Sequence, residues 1–394
     1  MSLNDTVSAE RTHIAFFGMR NAGKSSVVNA VTGQSISVVS DIKGTTTDPV
    51  KKTMEILPLG PVVIIDTPGF DDEGELGELR VQKTKEILSK TDIAVLVVDA
   101  VKGKSLQDEE LINVFNGRKI PYITAFNKSD ILDLIPETGE NELYISAKTG
   151  ENINLLKEKL AQFAKKAKTD KKIVADLINS GDTVILVIPI DESAPKGRII
   201  LPQQQVLREL LDKNCAALCV QTSGLKGALD VLNEPPALVI TDSQAFKEVA
   251  EIVPESVPLT SFSILFARYK GEYALLMKGA GALKELKDGD KVLISEGCTH
   301  HRQCNDIGAV KLPAWIKKYS SAEPEFRFTS GGEFPEDLSE YALIVHCGGC
   351  MLNEAEMKSR LKRAEEQGIP IINYGMAIAG MNGILDRATK CFNI

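Results

Sequence analysis

Thr12-His13-Ile14-Ala15-Phe16-Phe17-Gly18-Met19-Arg20-Asn21-Ala22-Gly23-Lys24-Ser25 is the stretch whose reading decides the fold of the front of this chain. An apolar and aromatic run passes without a break into G-x-x-x-x-G-K-S, and residues 26–31 then read as helix. That is the strand–loop–helix setting of a phosphate-binding loop. Gly18 and Gly23 let the backbone wrap a β-phosphate, Lys24 reaches the β- and γ-phosphates, and Ser25 offers its hydroxyl to a magnesium ion. Ala22 and Ser26 belong to the same nucleotide-binding set. An α/β unit is expected around this loop.

Four further stretches follow in order, nearly all where an apolar strand ends. Asp66-Thr67-Pro68-Gly69 comes after residues 62–65 and sets a carboxylate to hold magnesium through water, with a glycine N–H to sense the γ-phosphate. Asn127-Lys128-Ser129-Asp130 comes after residues 121–126. Its Asp130 carboxylate, an acceptor only, matches the paired N–H donors on the Watson–Crick edge of guanine, which adenine lacks. Ser146-Ala147-Lys148 comes after residues 142–145 and offers the Ala147 N–H to the guanine carbonyl oxygen. Gly44-Thr45-Thr46-Thr47-Asp48 supplies a threonine for the magnesium shell, and Thr46 is the choice. Five such motifs in series point to GTP and GDP with Mg2+, the hydrolytic work falling to Lys24, Asn21, Thr46, Asp66 and Gly69.

The other informative stretch is His346-Cys347-Gly348-Gly349-Cys350, which follows the apolar run 341–345 and precedes a helix with Asn353 as its expected N-cap. Two thiols three positions apart can face one point, and the glycines between them let the backbone close around negatively charged sulfur. Cys298-Thr299-His300-His301 likewise follows a strand-like run, 291–295. Three of the four histidines of the chain thus stand beside three of its seven cysteines, a metal signature rather than a disulfide framework. Zinc held by three cysteines and a histidine and an iron–sulfur cluster held by three cysteines both satisfy these residues. His346 or His300 could complete a zinc tetrahedron. The plainer alternative is a buried structural thiol pair, with Cys304 spare and Cys391 a bystander.

With 394 residues, three domains are expected: 1–167, 170–270 and 271–394. The middle one alternates strands at 183–190, 216–220 and 237–240 with helices at 203–212 and 225–232. It carries no catalytic constellation and reads as a small α/β dimerisation module, with Cys215 and Cys219 as core thiols. Asp191, in the loop after its first strand, reads as a turn aspartate able to face another domain. The last domain alternates helices at 272–286, 310–319, 354–366 and 376–387 with strands at 291–295, 325–329, 341–345 and 369–373. That pattern makes a mostly parallel sheet, with Cys298, Cys347 and Cys350 at the carboxyl ends of strands, where such sheets bind ligands. A net charge of −8 argues against a large nucleic-acid surface. No signal-like leader and no run of some 18 apolar residues occurs, so no membrane span and a cytoplasmic location are expected.

The front portion resembles the translation-factor-like GTPases, and more narrowly the branch that includes Era and MnmE, through Asn21 and Gly44-Thr45-Thr46. That resemblance implies a potassium ion beside Asn21. Phe70 follows Asp66-Thr67-Pro68-Gly69 in place of the glutamine of Ras-like enzymes, which implies slow hydrolysis that potassium speeds. Taken whole, a GTPase of this branch followed by a small α/β module and the two thiol motifs resembles the HydF family of FeFe-hydrogenase maturation factors. The resemblance implies a 4Fe-4S cluster on Cys298, Cys347 and Cys350. Asp191, His300, His301, His346 or water stays open as the fourth ligand. It further implies a diiron precursor received from the radical-SAM maturases HydE and HydG and passed to apo FeFe-hydrogenase, and a homodimer or higher oligomer with GTP as a switch of partner binding. A zinc-containing regulatory GTPase would share these motifs except for the iron. An RNA-modification or ribosome-assembly GTPase would add a basic appendage, and none is seen.

Overall fold

Residues 10–34, 50–67, 84–167, 171–190, 199–297 and 306–392 are described in the computed structural model. The chain divides after Asp170 into two compact units. In the first, β1 (Thr12–Phe17), β2 (Val50–Ile56), β3 (Gly60–Asp66), β4 (Ile93–Asp99), β5 (Tyr122–Asn127) and β6 (Glu142–Tyr144) form one sheet in the order β2-β3-β1-β4-β5-β6. All pairs are parallel except β2 with β3. A parallel strand is covered on both faces, which is why β1 and β4 are unbroken apolar runs. Ile14 and Phe16 pack into a core with Val27, Val28 and Leu156, while Ala15 and Phe17 pack oppositely with Leu111 and Phe115. Neighbouring residues of one strand therefore feed two layers of helix. The helix Leu106–Gly117 starts from a capping box: Ser105 Oγ accepts from the Asp108 N–H, and Asp108 Oδ2 accepts from the Ser105 N–H.

The second unit holds two parallel four-stranded sheets. β7 (Thr183–Val187), β8 (Ala216–Val220), β9 (Leu238–Thr241) and β10 (Leu259–Ser261) run in the order β10-β9-β7-β8. β11 (Lys291–Glu296), β12 (Glu325–Ser330), β13 (Leu343–His346) and β14 (Ile371–Asn373) run in the order β12-β11-β13-β14. Both contribute to one continuous apolar core. The helix Phe262–Lys270 buries Phe262, Ile264, Leu265 and Phe266 in it and follows directly from β10.

Several elements differ from the sequence expectation for local reasons. The strand expected over 183–190 stops at Val187, just before Pro189. The helix expected over 376–387 is two, Tyr374–Met381 and Leu385–Thr389, because Gly383 turns left-handed at φ +72° between them. The first of them starts earlier than expected, since Asn373 caps it by accepting from the Met376 N–H. β10 and the helices Phe246–Ile252 and Phe262–Lys270 lie in a stretch whose apolar residues show no clean period, so they escape pattern reading. Cys215 is a core thiol as expected, but Cys219 is exposed. The correction is local to β8, which is only partly covered along its length, with Ala216 and Cys219 exposed, whereas β7 and β9 are buried almost throughout. Among the described residues no helix is long and apolar enough to cross a membrane.

Candidate functional site

Both glycines of the phosphate loop are dictated by close backbone approach. A Cβ on Gly18 would stand 2.3 Å from the Val97 carbonyl oxygen, and one on Gly23 would stand 2.3 Å from Asn127 Nδ2, at φ +151° and +87° respectively. Gly23 precedes the helix Lys24–Thr32 with no side-chain cap, so the first-turn N–H groups, including that of Ser26, are available to an anion. Asn21 adopts φ +64°, a left-handed position that asparagine tolerates.

The motif residues meet through specific hydrogen bonds. Asn127 Nδ2 donates to the Ala22 carbonyl at 3.0 Å, and its Oδ1 accepts from the Ala147 N–H at 3.0 Å, so one buried amide ties three loops together. Lys128 donates to the Asn21 carbonyl at 2.9 Å and pairs with Asp99 at 2.5 Å. Burial works to raise the Asp99 pKa, but the Lys128 hydrogen bond and charge and the Val101 N–H outweigh it and hold the carboxyl low. Ser146 Oγ donates to Asp130 Oδ1 at 2.6 Å, leaving Asp130 exposed, with Lys148 exposed nearby in sequence. On the phosphate side Lys24 Nζ lies 2.6 Å from Asp66 Oδ1, and Ser25 Oγ donates to Asp66 Oδ2 at 3.2 Å. These residues all stand at the carboxyl ends of β1, β3, β4 and β5 or in the loops that follow β5 and β6. Thr46 and Gly69 lie outside the described residues. Asp99 was not singled out from sequence, although its place at the end of an apolar run was a usable signal.

At the other site β11 and β13 run side by side, Ser295 opposite His346. The Cys347 N–H donates to the Ser295 carbonyl at 2.9 Å. The Gly297 N–H donates to Cys347 Sγ at 3.0 Å and the Gly349 N–H does so at 3.4 Å, with Gly349 left-handed at φ +61°. The end of β11 is thereby placed against the thiol loop, and the residue after Gly297 in the chain is Cys298. Cys298, His300, His301 and Asp191 lie outside the described residues, as does Cys304. Burial pushes the Cys347 thiol up to about 11 against the pull of its two N–H donors. Burial also raises Cys350, opposed by the charge of Lys270. Two N–H groups aimed at one partly buried sulfur suit the thiolate form that metal binding demands, so the donors here fit a thiolate-held metal or cluster.

His346, one of the fourth-ligand candidates, is fully buried. Its Nδ1 is 2.8 Å from the Cys347 carbonyl, which can only accept, so Nδ1 carries the proton. Nε2 then accepts from Arg360 Nη1 at 3.1 Å. Both ring nitrogens are engaged, and neither offers a lone pair to a metal in this arrangement. Burial first, and then the Arg360 charge, hold its pKa at about 3. Arg360 itself is buried and pairs with Glu356 at 2.8 Å and with the Gly331 carbonyl at 2.6 Å. Lys270, 4 % exposed, donates to the carbonyls of Gly349 at 3.2 Å, Cys350 at 3.2 Å and Leu352 at 3.0 Å. Sequence reading missed all three. Glu356 and Arg360 look like an ordinary i,i+4 surface pair, and Lys270 looks like the solvated end of an apolar helix. Among the described residues no three His, Cys, Asp or Glu side chains gather as a metal site.

A phosphate loop after β1, guanine-type loops after β5 and β6, and a mostly parallel sheet that presents them at the carboxyl ends of its strands define the first unit as a P-loop GTPase domain. Residues 13–128 match the family model described as 50S ribosome-binding GTPase. Residues 173–271 match the hydrogen maturase F dimerization domain, and residues 274–391 match the hydrogen maturase F tetramerization domain. These last two span more than half of the chain, and the chain belongs to the hydrogen maturase F family. It is also 35% identical over 186 residues to GTPase Der of Kosmotoga olearia, an overlap of 42% of this chain and 41% of that protein. To the tRNA modification GTPase MnmE of Thiobacillus denitrificans it is 32% identical over 155 residues, 38% of this chain and 33% of that one. The chain thus spans less than half the length of these relatives. Among solved structures, Era of Aquifex aeolicus bound to GDP·AlF4− aligns over 52% of this chain and 91% of its own at 22% identity and a TM-score of 0.36.

Proposed function

We propose that this protein is a GTP-hydrolysing scaffold that carries a 4Fe-4S cluster on Cys298, Cys347 and Cys350 and serves the maturation of FeFe-hydrogenase. The observation that carries the reading is the hydrogen bond from the Gly297 N–H to Cys347 Sγ. It joins the strand end that leads into Cys298 to the loop that holds Cys347 and Cys350. A cluster bound through three cysteines supplies one iron with an exchangeable position, the chemistry a carrier needs. Asp191, His300, His301 and His346 are the side-chain candidates for that position, His346 only after leaving its present hydrogen bonds to the Cys347 carbonyl and Arg360. The cargo is a diiron precursor from HydE and HydG, delivered to apo FeFe-hydrogenase.

On the nucleotide side, Lys24 and Ser25 share Asp66 in this structure. Lys24 would serve the β- and γ-phosphates of a bound GTP, and Ser25, Thr46 and Asp66 would hold the magnesium ion, which would supply charge stabilisation at the phosphates. Gly69 reads the γ-phosphate, while Asp130 and the Ala147 N–H read guanine, flanked by Lys128 and Lys148. Hydrolysis is slow, since Phe70 replaces a water-orienting glutamine, and a potassium ion beside Asn21 speeds it. GTP acts as a switch of partner binding. The dimerisation and tetramerisation segments make the molecule a homo-oligomer, working in the cytoplasm as domains 1–167, 170–270 and 271–394. Anaerobically loaded protein, given the products of HydE and HydG, is expected to activate apo-hydrogenase in a hydrogen-evolution assay, and Cys350→Ser is expected to lose at least 90 % of that activation, on the order of the effect of removing a metal ligand. Activation by Cys350→Ser equal to that by the unchanged protein contradicts the proposal.

A further inference from the structure

The helix Phe262–Lys270 is held at both ends and on its flank. Ser261 caps it by accepting from the Ile264 N–H at 3.3 Å. Ser263 Oγ accepts from the Gly375 N–H at 3.2 Å and from Asn373 Nδ2 at 3.1 Å, which ties the helix to the end of β14. At its far end a Cβ on Gly271 would stand 2.7 Å from the Ala267 carbonyl oxygen and 3.2 Å from Leu361, so the exit is tightly packed. This fixed helix places Lys270 inside the protein, 5.8 Å from the centre of the Phe266 ring, with the carbonyls of Gly349, Cys350 and Leu352 around its ammonium.

An ammonium has three donors on a compact charge, and three converging carbonyls match it better than they match the planar fork of arginine. Burying that charge is costly, and a side chain needed only for packing would be met by methionine or leucine. Gly349 is pinned from both sides: its N–H faces Cys347 Sγ and its carbonyl faces Lys270. Lys270 therefore acts on the thiol loop through the backbone as well as through space.

We propose that Lys270 is a positioning residue for the metal group held by Cys347 and Cys350, fixing the loop between the two thiols and supplying a positive charge that offsets the negative charge gathered there. This rests on the cluster reading above. A nearby positive charge favours the more negative, reduced state of a cluster, so removing it lowers the reduction potential. The test uses the full chain with two probes: Cd2+ titration of the metal-free protein, followed by its thiolate charge-transfer absorbance, and potentiometry of the iron-loaded protein. Lys270→Gln keeps donors and loses charge. It is expected to weaken Cd2+ binding about tenfold and to shift the ratio of oxidised to reduced cluster about tenfold, which is ~59 mV more negative for a one-electron couple. Lys270→Arg keeps charge and is expected to hold that ratio within about threefold of the unchanged protein.

Equal Cd2+ affinity and equal potential in Lys270→Gln overturn the proposal. So does an arginine variant whose potential falls as far as that of the glutamine variant. If Lys270→Gln loses cooperative unfolding of the second unit, Lys270→Arg decides alone: a ratio held within threefold supports the proposal, and a tenfold shift overturns it. An unchanged protein that takes up no iron and sulfide sinks the cluster reading, and the Cd2+ comparison still judges Lys270.

Discussion

Gly23 shows how a single residue serves two constraints. It needs the left-handed conformation at φ +87°, and it leaves room for Asn127 Nδ2, which a Cβ would meet at 2.3 Å. Gly23→Ala therefore strains the loop by on the order of 1–3 kcal/mol. Titration with a fluorescent GDP analogue should show affinity at least tenfold weaker, and unchanged affinity would contradict this account of the loop. Asp130 is the residue proposed to choose the base. Asp130→Asn replaces an acceptor by a donor, so competition binding should show loss of guanine preference and gain for xanthine, whose second carbonyl replaces the amino group. The motif glycines and Asn127 were legible in sequence because their spacing is set by the phosphate and the base. Lys270 and the contact of Arg360 with His346 were not, because these partners lie 14 to 82 positions apart and meet only through the way a side chain turns in the folded chain.

At the scale of elements, the helix Glu354–Glu366 carries a buried ion pair within itself, Arg360 with Glu356 at 2.8 Å, and through Arg360 it reaches His346 Nε2 at the end of β13 at 3.1 Å. Removing one partner of such a pair leaves an uncompensated charge. Arg360→Leu should cost the second unit about 3–5 kcal/mol, seen as a lower denaturant midpoint. A midpoint unchanged within error would mean that Glu356 is solvated there. The segment that opens the second unit is tied down differently: Arg268 pairs with Asp176 at 2.7 Å and donates to the carbonyls of Lys172 and Ile173. Its hydrogen bond, ahead of the opposing effect of burial, holds the Asp176 carboxyl below its ordinary value. A carboxyl lowered on folding stabilises above its unfolded pKa, about 3.9, and that contribution is lost as pH falls through the folded value. Thermal melts below about pH 4 should therefore fall faster for the unchanged protein than for Asp176→Asn. Parallel slopes would contradict the pairing. Strands such as β8 and helices such as Glu354–Glu366 were read from sequence nearly to the residue, because turn residues or an N-cap bound them. The break at Gly383 was not, since apolar residues continue on both sides of it.

For the molecule as a whole, the proposed nucleotide and cluster residues both follow the carboxyl ends of parallel strands, those of the first sheet in one unit and β11 and β13 in the other. That much follows from alternating apolar runs and the motifs that terminate them. What pattern alone could not reveal is that the two sheets of the second unit share one core, with the helix Phe262–Lys270 buried in it. Shared burial is a matter of which faces meet, and no spacing along the chain records it. The central claim is that a GTPase unit is joined to a unit whose thiols hold an iron–sulfur cluster. It is tested most directly by anaerobic reconstitution followed by iron and sulfide analysis of the unchanged protein beside Cys347→Ala. About four irons and four sulfides per chain, in a brown protein whose colour is lost in the variant, are predicted. A colourless protein that takes zinc instead, or a Cys347→Ala variant that keeps its full complement of iron, would contradict the claim.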